Sequence, residues 1–247
     1  MTCPADPLDC APLDIAANAA AHAEAVGRSG ARLVVFPELS LTGHDLAAPA
    51  VSADDPRLRP LVTACHESGA TVLVGAPVRA AEGREHIATP AVTGEGSRVV
   101  YRKMWLRCEE FDRLAPGERP EVPVVDGLRL GPAVCDDAAV PEHAAATAAP
   151  GIDAYAASTL YGSGPEQAAR RYGHMSRSAL AHGMWVVVAT SAGPSGVHAR
   201  TSGGSGIWAP DGTPAVQAGP EPGAVVSATV GTDRAGSRRR PGSASRS

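Results

Sequence analysis

Lysine is nearly absent from this 247-residue chain: Lys103 stands alone beside 21 arginines. Arginine has taken almost every position where positive charge suffices. An ammonium retained against that bias is one whose compact shape a guanidinium fork cannot reproduce; survival by chance is the plain alternative. Aromatic residues are also scarce, at 4%. No apolar run reaches the ~18 residues of a membrane span. The opening MTCPADPLDCAPLD has neither a basic stretch nor an apolar core, so it does not read as a secretory signal, and a cytoplasmic location is expected. The five cysteines (Cys3, Cys10, Cys65, Cys108, Cys135) form no CxxC pair and no set at zinc-ligand spacing, so neither metal nor cofactor is expected. GxxxxGK, GxGxxG, HExxH and GxSxG are missing too. No arginine follows Cys135 in CDDAAVPEH as a cysteine phosphatase requires. A net charge of −4 without a basic stripe in the body argues against nucleic acid as partner.

The remaining composition, 44% hydrophobic and 19% charged, is that of a globular protein. Asp14–Ser29 reads as a helix stopped by Gly30, and Pro56 to Ser68 as a second stopped by Gly69. ARLVVF (31–36) and TVLVGAP (71–77) read as strands. HIATPAV and SRVVYRK form a strand pair about TGEG, and 104–120 a long loop. LRLGPAVC is a strand, followed by a helix to about Ala149. IDAYAAS, a helix from Pro165 to His182, and MWVVVATSA come next, then SGIWAP, TPAVQAG and AVVSATV as last strands. This alternation predicts one α/β domain over 1–231, both sheet faces covered. Residues 232–247, with Arg238, Arg239 and Arg240, read as a solvated, disordered basic tail.

Three polar residues fall where strands hand over to loops: Glu38 after VVFP, Lys103 after VVYR, and Cys135 after LRLGPAV. Strand ends are where α/β sheets gather ligands. A carboxylate, an ammonium and a thiol meeting there supply base, oxyanion donor and nucleophile for acyl transfer. Taken singly, Glu38 reads equally as a solvated loop carboxylate and Cys135 as a buried structural thiol.

VVFPELSLTG, YRKMWL and AVCDDAAVPE, in that order, closely resemble the three signature segments of the nitrilase superfamily, the carbon–nitrogen hydrolases. The resemblance spans roughly residues 14–230 and includes RTSGGSGIWAPDG. It implies a four-layer α-β-β-α sandwich assembled into dimers or larger oligomers, and a metal-free Glu-Lys-Cys triad. Carried over by position, Glu38 is the base, Lys103 the oxyanion stabiliser and Cys135 the nucleophile. Glu110, ahead of Pro116-Gly117, matches a second family glutamate that orients water; Glu109 fits less well. Glu142 matches a glutamate read as structural. The backbone N–H of Asp136 is a second oxyanion donor, and Tyr161 lies after a strand resembling the pocket-lining one. The implied activity is hydrolysis of a small linear amide through a thioester, with nitriles or carbamoyl compounds as lesser candidates. An acyltransferase on the same fold is the alternative.

Four positions depart from the family pattern. The first residues do not read as the usual opening strand, so that strand is expected to be missing or truncated, or to begin upstream. Asp136 and Asp137 follow the cysteine where an aromatic is common, and two carboxylates beside a thiol disfavour the thiolate. Ala138 is expected to leave the pocket open. Trp105 stands where histidine is frequent and reads as structural. The first two departures motivate a third reading, a catalytically weak binding or scaffold protein. Cys65 and Trp185 read as core. His143, His174 and His182 read as surface or capping residues.

Overall fold

The computed structural model describes residues 2–4 and 11–231. In chain order the strands are β1 (Thr2–Pro4), β2 (Leu33–Val35), β3 (Thr71–Leu73), β4 (Ala76–Arg79), β5 (Glu85–Thr93), β6 (Gly96–Arg102), β7 (Val124–Val125), β8 (Leu128–Val134), β9 (Ala154–Thr159), β10 (Trp185–Thr190), β11 (Ala192–Ser195), β12 (His198–Ser202), β13 (Gly206–Trp208), β14 (Pro214–Gln217) and β15 (Val225–Ser227). The helices are α1 (Ile15–Ser29), α2 (Arg59–Ser68), α3 (Pro141–Ala148) and α4 (Pro165–His182). The basic tail lies outside the described residues.

Helix boundaries follow the punctuation in the sequence. The Asp14 carboxylate caps α1 by accepting the Ala17 N–H at 3.0 Å, and Gly30, at φ 60°, ends it. Gly69 and Gly183 end α2 and α4 in the same left-handed conformation. Two sheets carry the fold. One has seven strands in the order β15-β1-β2-β3-β5-β4, with β6 paired to β5; the other has six, ordered β14-β13-β10-β9-β8-β7.

Three hydrophobic layers separate four structural ones. Ile15, Val26, Leu61 and Cys65 of α1 and α2 pack on Val34, Val72 and Val74. Leu33, Val35 and Leu73 meet Leu130, Ala156, Val187 and Ile207 between the sheets. Met175 and Ala179 of α4 cover Tyr155, Val186 and Val188. The result is the expected α-β-β-α sandwich. Among the described residues no helix is long and apolar enough to cross a membrane.

Three details differ from the sequence reading. The opening strand, expected to be missing or truncated, is not missing but short, three residues long: Thr2 pairs in parallel with Val34, and Thr2–Pro4 run antiparallel to Val225–Ser227. Its place rests on main-chain pairing between β2 and β15, which no side-chain pattern announces. Segment 193–202, to which the sequence reading assigns no element, forms with Ala192 the hairpin β11–β12. Finally, TVLVGAP is split. β3 and β4 face β5 in one register, Leu73 opposite Ala91 and Ala76 opposite Ala88, but the ladder breaks at Val74–Gly75. Pro90 sits opposite and has no N–H to give. Gly75 instead turns its N–H to Ser40 Oγ and its carbonyl to the Leu41 N–H. That break is where the first functional loop docks.

Candidate active site

Residues 37–44 leave β2 and fold against Gly75. A Cβ on Gly75 would lie 2.2 Å from the Leu39 nitrogen and 2.9 Å from the Glu38 carbonyl carbon. Only a bare glycine lets Glu38 descend between the sheets. Lys103 follows β6, its N–H bonded to the Ile87 carbonyl and its own carbonyl to the Gly117 N–H. β6 and β3 flank β5 and are both antiparallel to it, so Lys103 emerges at the same end as the loop after β2. Cys135 follows β8 of the other sheet, at φ 50°, a left-handed backbone that non-glycine residues rarely adopt. Such conformations persist where the surroundings fix them, often at functional sites.

These three elements converge. Lys103 Nζ donates to Glu38 Oε1 at 3.0 Å and to Glu110 Oε1 at 2.6 Å. The Lys103 and Glu38 side chains are 0% and 1% exposed. Glu110 is steadied by the Arg107 N–H, which donates to its Oε2 at 2.8 Å. Burial alone would push the Lys103 ammonium down, but the charges of Glu38, a Cys135 thiolate and Glu110 outweigh it and hold its pKa above the ordinary lysine value. For Glu38, burial would raise the carboxyl; Lys103 and His44 overcome that and hold it well below the usual carboxylate range. Glu110 goes the other way, raised by burial and by Glu38 against the pull of Lys103. The Cys135 thiol is raised well above its ordinary value by burial and by the charge of Glu38; Lys103 opposes this and Asp136 reinforces it. The resting site is therefore a neutral thiol beside an ionised carboxylate and an ammonium.

Cys135 opens onto a cleft of about 460 Å³ lined by Leu106, Arg107, Asp136, Leu160, Tyr161, Arg170, His174 and His198 among others. Glu38, Lys103 and Glu110 lie buried behind the thiol, away from the cleft wall. Tyr161 lines the cleft as its position after β9 suggests, its hydroxyl 3.0 Å from His174 Nδ1. Asp136 lies at the rim with Oδ1 4.0 Å from Cys135 Sγ.

Asp137, however, does not flank the thiol. It turns inward, is fully buried, and accepts from Tyr101 Oη at 2.7 Å and from the N–H groups of Val134, Met104 and Trp105. Only one of the two acidic neighbours thus acts on Cys135, which weakens one motive for a non-catalytic reading; the presence of β1 weakens the other. Ala138 packs in the core against α4, and Ala139 lines the cleft instead. His143 is neither a surface nor a capping residue. It is fully buried, with Nε2 2.9 Å from Tyr101 Oη and Nδ1 2.7 Å from Tyr155 Oη, and burial lowers its pKa to about 4. Trp105 packs edge-on against that imidazole at 5.4 Å. Glu142 is exposed in the first turn of α3, and Glu109 is exposed and paired with Arg107.

Two residues of the site escape the sequence reading. His44 places Nε2 3.3 Å from Glu38 Oε2, and His198 of β12 reaches the cleft from the hairpin. The only signal for His44 is its adjacency to PELSLTG. Among the described residues no group of three His, Cys, Asp or Glu could hold a metal ion.

A buried acid–amine–thiol cluster at the strand ends of an α-β-β-α sandwich defines the class, and comparison with known proteins gives it its family. The sequence profile of the carbon–nitrogen hydrolases matches residues 10–240, and the chain belongs to that family. A hydrolase of Mycobacterium tuberculosis is 32% identical over 228 residues, covering 83% of this chain and 80% of that protein. A hydrolase of Pseudomonas protegens, from the pqqF 5′ region, is 30% identical over 151 residues, 58% of this chain; the chain spans about half (53%) of that relative. Among solved structures, an amidase from Nesterenkonia sp. AN1 superposes with a TM-score of 0.77 at 28% identity, covering 92% of each chain.

Proposed function

We propose that this carbon–nitrogen hydrolase is an amidase acting on small linear amides through a thioester on Cys135. The observation that carries the reading is the single buried Lys103 ammonium bridging Glu38 and Glu110 behind the Cys135 thiol. Solved forms of the Nesterenkonia amidase support it: one mutant carries the acetamide moiety of fluoroacetamide on its active-site cysteine, and another is in complex with butyramide. An (R)-stereoselective amidase of Pseudomonas sp. is 32% identical over 126 residues, about half of this chain.

The chemistry follows from the charge states. The Cys135 proton passes to the Glu38 carboxylate as sulfur attacks the amide carbon. The carbonyl π electrons move onto oxygen, where the Lys103 ammonium and the Asp136 N–H are the available donors; removing one such donor typically costs ~10²–10³ in rate. Collapse of this intermediate breaks the C–N bond, and Glu38 returns the proton to the departing nitrogen, a poor leaving group otherwise. Water then attacks the thioester carbon and gives its proton to Glu38; the C–S bond breaks and Glu38 returns that proton to the Cys135 sulfur, with Glu110 holding Lys103 in place throughout. Carboxylate and amine leave. Aligning a bound amide with a fixed nucleophile lowers the barrier further, since no encounter remains to be made.

The self-association implied by the family resemblance is proposed to use the outer helical face, where α4 exposes Tyr172 and Leu180. Sedimentation of wild type against Leu180→Glu tests it: a shift to monomer is expected, and an unchanged wild-type oligomer overturns that face.

The activity is tested by incubating the full chain with a panel of small amides, trapping the acyl-enzyme by acid quench and mapping the adduct. Wild type is expected to carry the acyl mass on Cys135 and release carboxylate, and Cys135→Ala to lose turnover by on the order of 10⁴-fold or more. Identical behaviour of the two proteins, without adduct or product, overturns the assignment.

A further inference from the structure

Each oxygen of the Glu38 carboxylate has its own partner. Oε1 accepts from Lys103, and Oε2 lies 3.3 Å from His44 Nε2. His44 is held from two directions. Its backbone is left-handed, at φ 57°, and its N–H bonds back to the Leu39 carbonyl at 3.3 Å. From the other side the β11–β12 turn presses on it: a Cβ on Gly196 would lie 2.3 Å from the His44 carbonyl oxygen. The ring of His198, on the same hairpin, meets the His44 ring edge to face at 6.1 Å. Two loops distant in sequence thus fix one imidazole against the base, with a side chain only 16% exposed.

We propose that His44 is a positioning residue for Glu38: it fixes Oε2, keeps the carboxylate in the rotamer that meets the Cys135 thiol, and by gaining or losing its own proton sets how basic that carboxylate is. This rests on the reading of Glu38 as base. The groups that face the imidazole are Glu38 and Lys103 beneath it and His198 across from it, with Arg107 acting on His198 in turn. Burial alone would lower His44; the hydrogen bond and charge of Glu38 outweigh burial and the opposing Lys103, and raise it above the ordinary histidine value. With the imidazolium in place Glu38 is held as a weaker base. Once His44 becomes neutral, with the proton kept on Nε2, the hydrogen bond persists and Glu38 takes the thiol proton more readily. Reactivity of Cys135 therefore rises as pH passes upward through the His44 titration.

The test is the pH dependence, from 5 to 9, of Cys135 alkylation by chloroacetamide, mapped by mass spectrometry to separate it from the exposed Cys108. Full-length wild type, His44→Phe and His44→Gln are compared, with kcat and KM on the best amide. Phenylalanine keeps the ring packing and loses the hydrogen bond. Glutamine keeps a donor near the Nε2 position and cannot titrate. His44→Phe is expected to slow alkylation and kcat by about 10–100-fold with little change in KM, as for a misplaced catalytic group. His44→Gln is expected to recover most of the rate at the upper end of this pH range and to lose the rise that wild type shows above the ordinary histidine value. Equal impairment of both variants with unchanged pH profiles would mean packing alone and overturns the proposal, as does wild-type behaviour of both. Should His44→Phe not fold, a His44→Gln profile with the wild-type rise intact overturns it alone. A wild-type Cys135 that alkylates no faster than Cys108 at any pH sinks the base assignment itself, and this inference with it.

Discussion

Two buried polar clusters flank the Cys135 turn, and they are built for different ends. One joins Glu38, Lys103, Glu110 and His44 behind the thiol. The other joins Tyr101, Asp137, His143 and Tyr155 beneath it. The first concentrates charge: two carboxylates share one ammonium, and the opposed shifts of Glu38 and Cys135 keep the carboxylate ionised and the proton on sulfur at rest. The second disperses it. A neutral His143 with its proton on Nε2 donates to Tyr101 and accepts from Tyr155, while Tyr101 donates to Asp137, so each group in the chain is satisfied. Neither Asp137 nor His143 reaches the cleft wall.

The two clusters are linked by spacing. Tyr101 and Lys103 lie two residues apart at the end of β6, and Cys135 and Asp137 two apart after β8. The Tyr101–Asp137 hydrogen bond, with the Met104 and Trp105 N–H groups bonded to the same carboxylate, ties the lysine segment to the cysteine turn across the two sheets. The quiet cluster thereby fixes the separation of the reactive one. The sharpest way to break this division is Asp137→Ala. It strips acceptors from three main-chain N–H groups and one hydroxyl, at about 1–3 kcal/mol for a buried group left unmatched. A combined loss of about 3–5 kcal/mol is expected, or a fall of roughly 10 °C in thermal midpoint, with activity lost alongside stability. A variant that kept its midpoint while losing activity would move Asp137 into the reactive cluster.

A smaller break enters from the opposite side. Gly75→Ala touches neither cluster directly but puts a methyl group against the Leu39 nitrogen and the Glu38 carbonyl carbon. Neither backbone atom can yield without moving the loop. A stability cost of about 1–3 kcal/mol is expected, as for overpacking elsewhere, together with a kcat reduced by about 10² through displacement of Glu38. Chemical denaturation and steady-state kinetics on the same preparation check both. Stability loss with unaltered kcat would show that Glu38 is placed by Lys103 alone.

How legible these regions are in sequence follows from their physics. Helices announce themselves, because Asp14, Gly30, Gly69 and Gly183 mark their ends through local backbone chemistry, although Pro56 opens a short 3-10 turn and α2 itself starts at Arg59. Glu38, Lys103, Glu110 and Cys135 are marked by motif and by the scarcity of lysine, and the fold brings them together. What stays hidden depends on contacts between distant segments. β1 is held by main-chain pairing to β2 and β15. The hairpin β11–β12 goes unassigned because its glycines and proline mask the pairing. Adjacency in sequence suggests that Asp136 and Asp137 act alike on the thiol, yet the turn of five residues after β8 sends one to the rim and the other into the core. His44 and His143 look unremarkable until Glu38 and Tyr101 arrive from elsewhere.

That divergence of adjacent aspartates offers the finest probe. Asp136 keeps a carboxylate oxygen 4.0 Å from Cys135 Sγ at the partly exposed rim, and its charge raises the thiol. Replacing it with asparagine removes the charge and leaves the shape. At that distance in a water-like surrounding the interaction is about 1 kcal/mol, so the thiolate fraction, and with it the alkylation rate of Cys135 at neutral pH, is expected to rise about five-fold. The thermal midpoint is expected to stay within a degree or two, in contrast to the collapse produced one residue later by Asp137→Ala. The rate is read by mass spectrometry on Cys135 itself, because Cys108 is exposed and reacts independently. A slower thiol in Asp136→Asn would mean that the carboxylate assists deprotonation rather than opposing it. The rim would then belong to the reactive cluster, and the boundary between the two regions would have to be drawn at Asp137 alone.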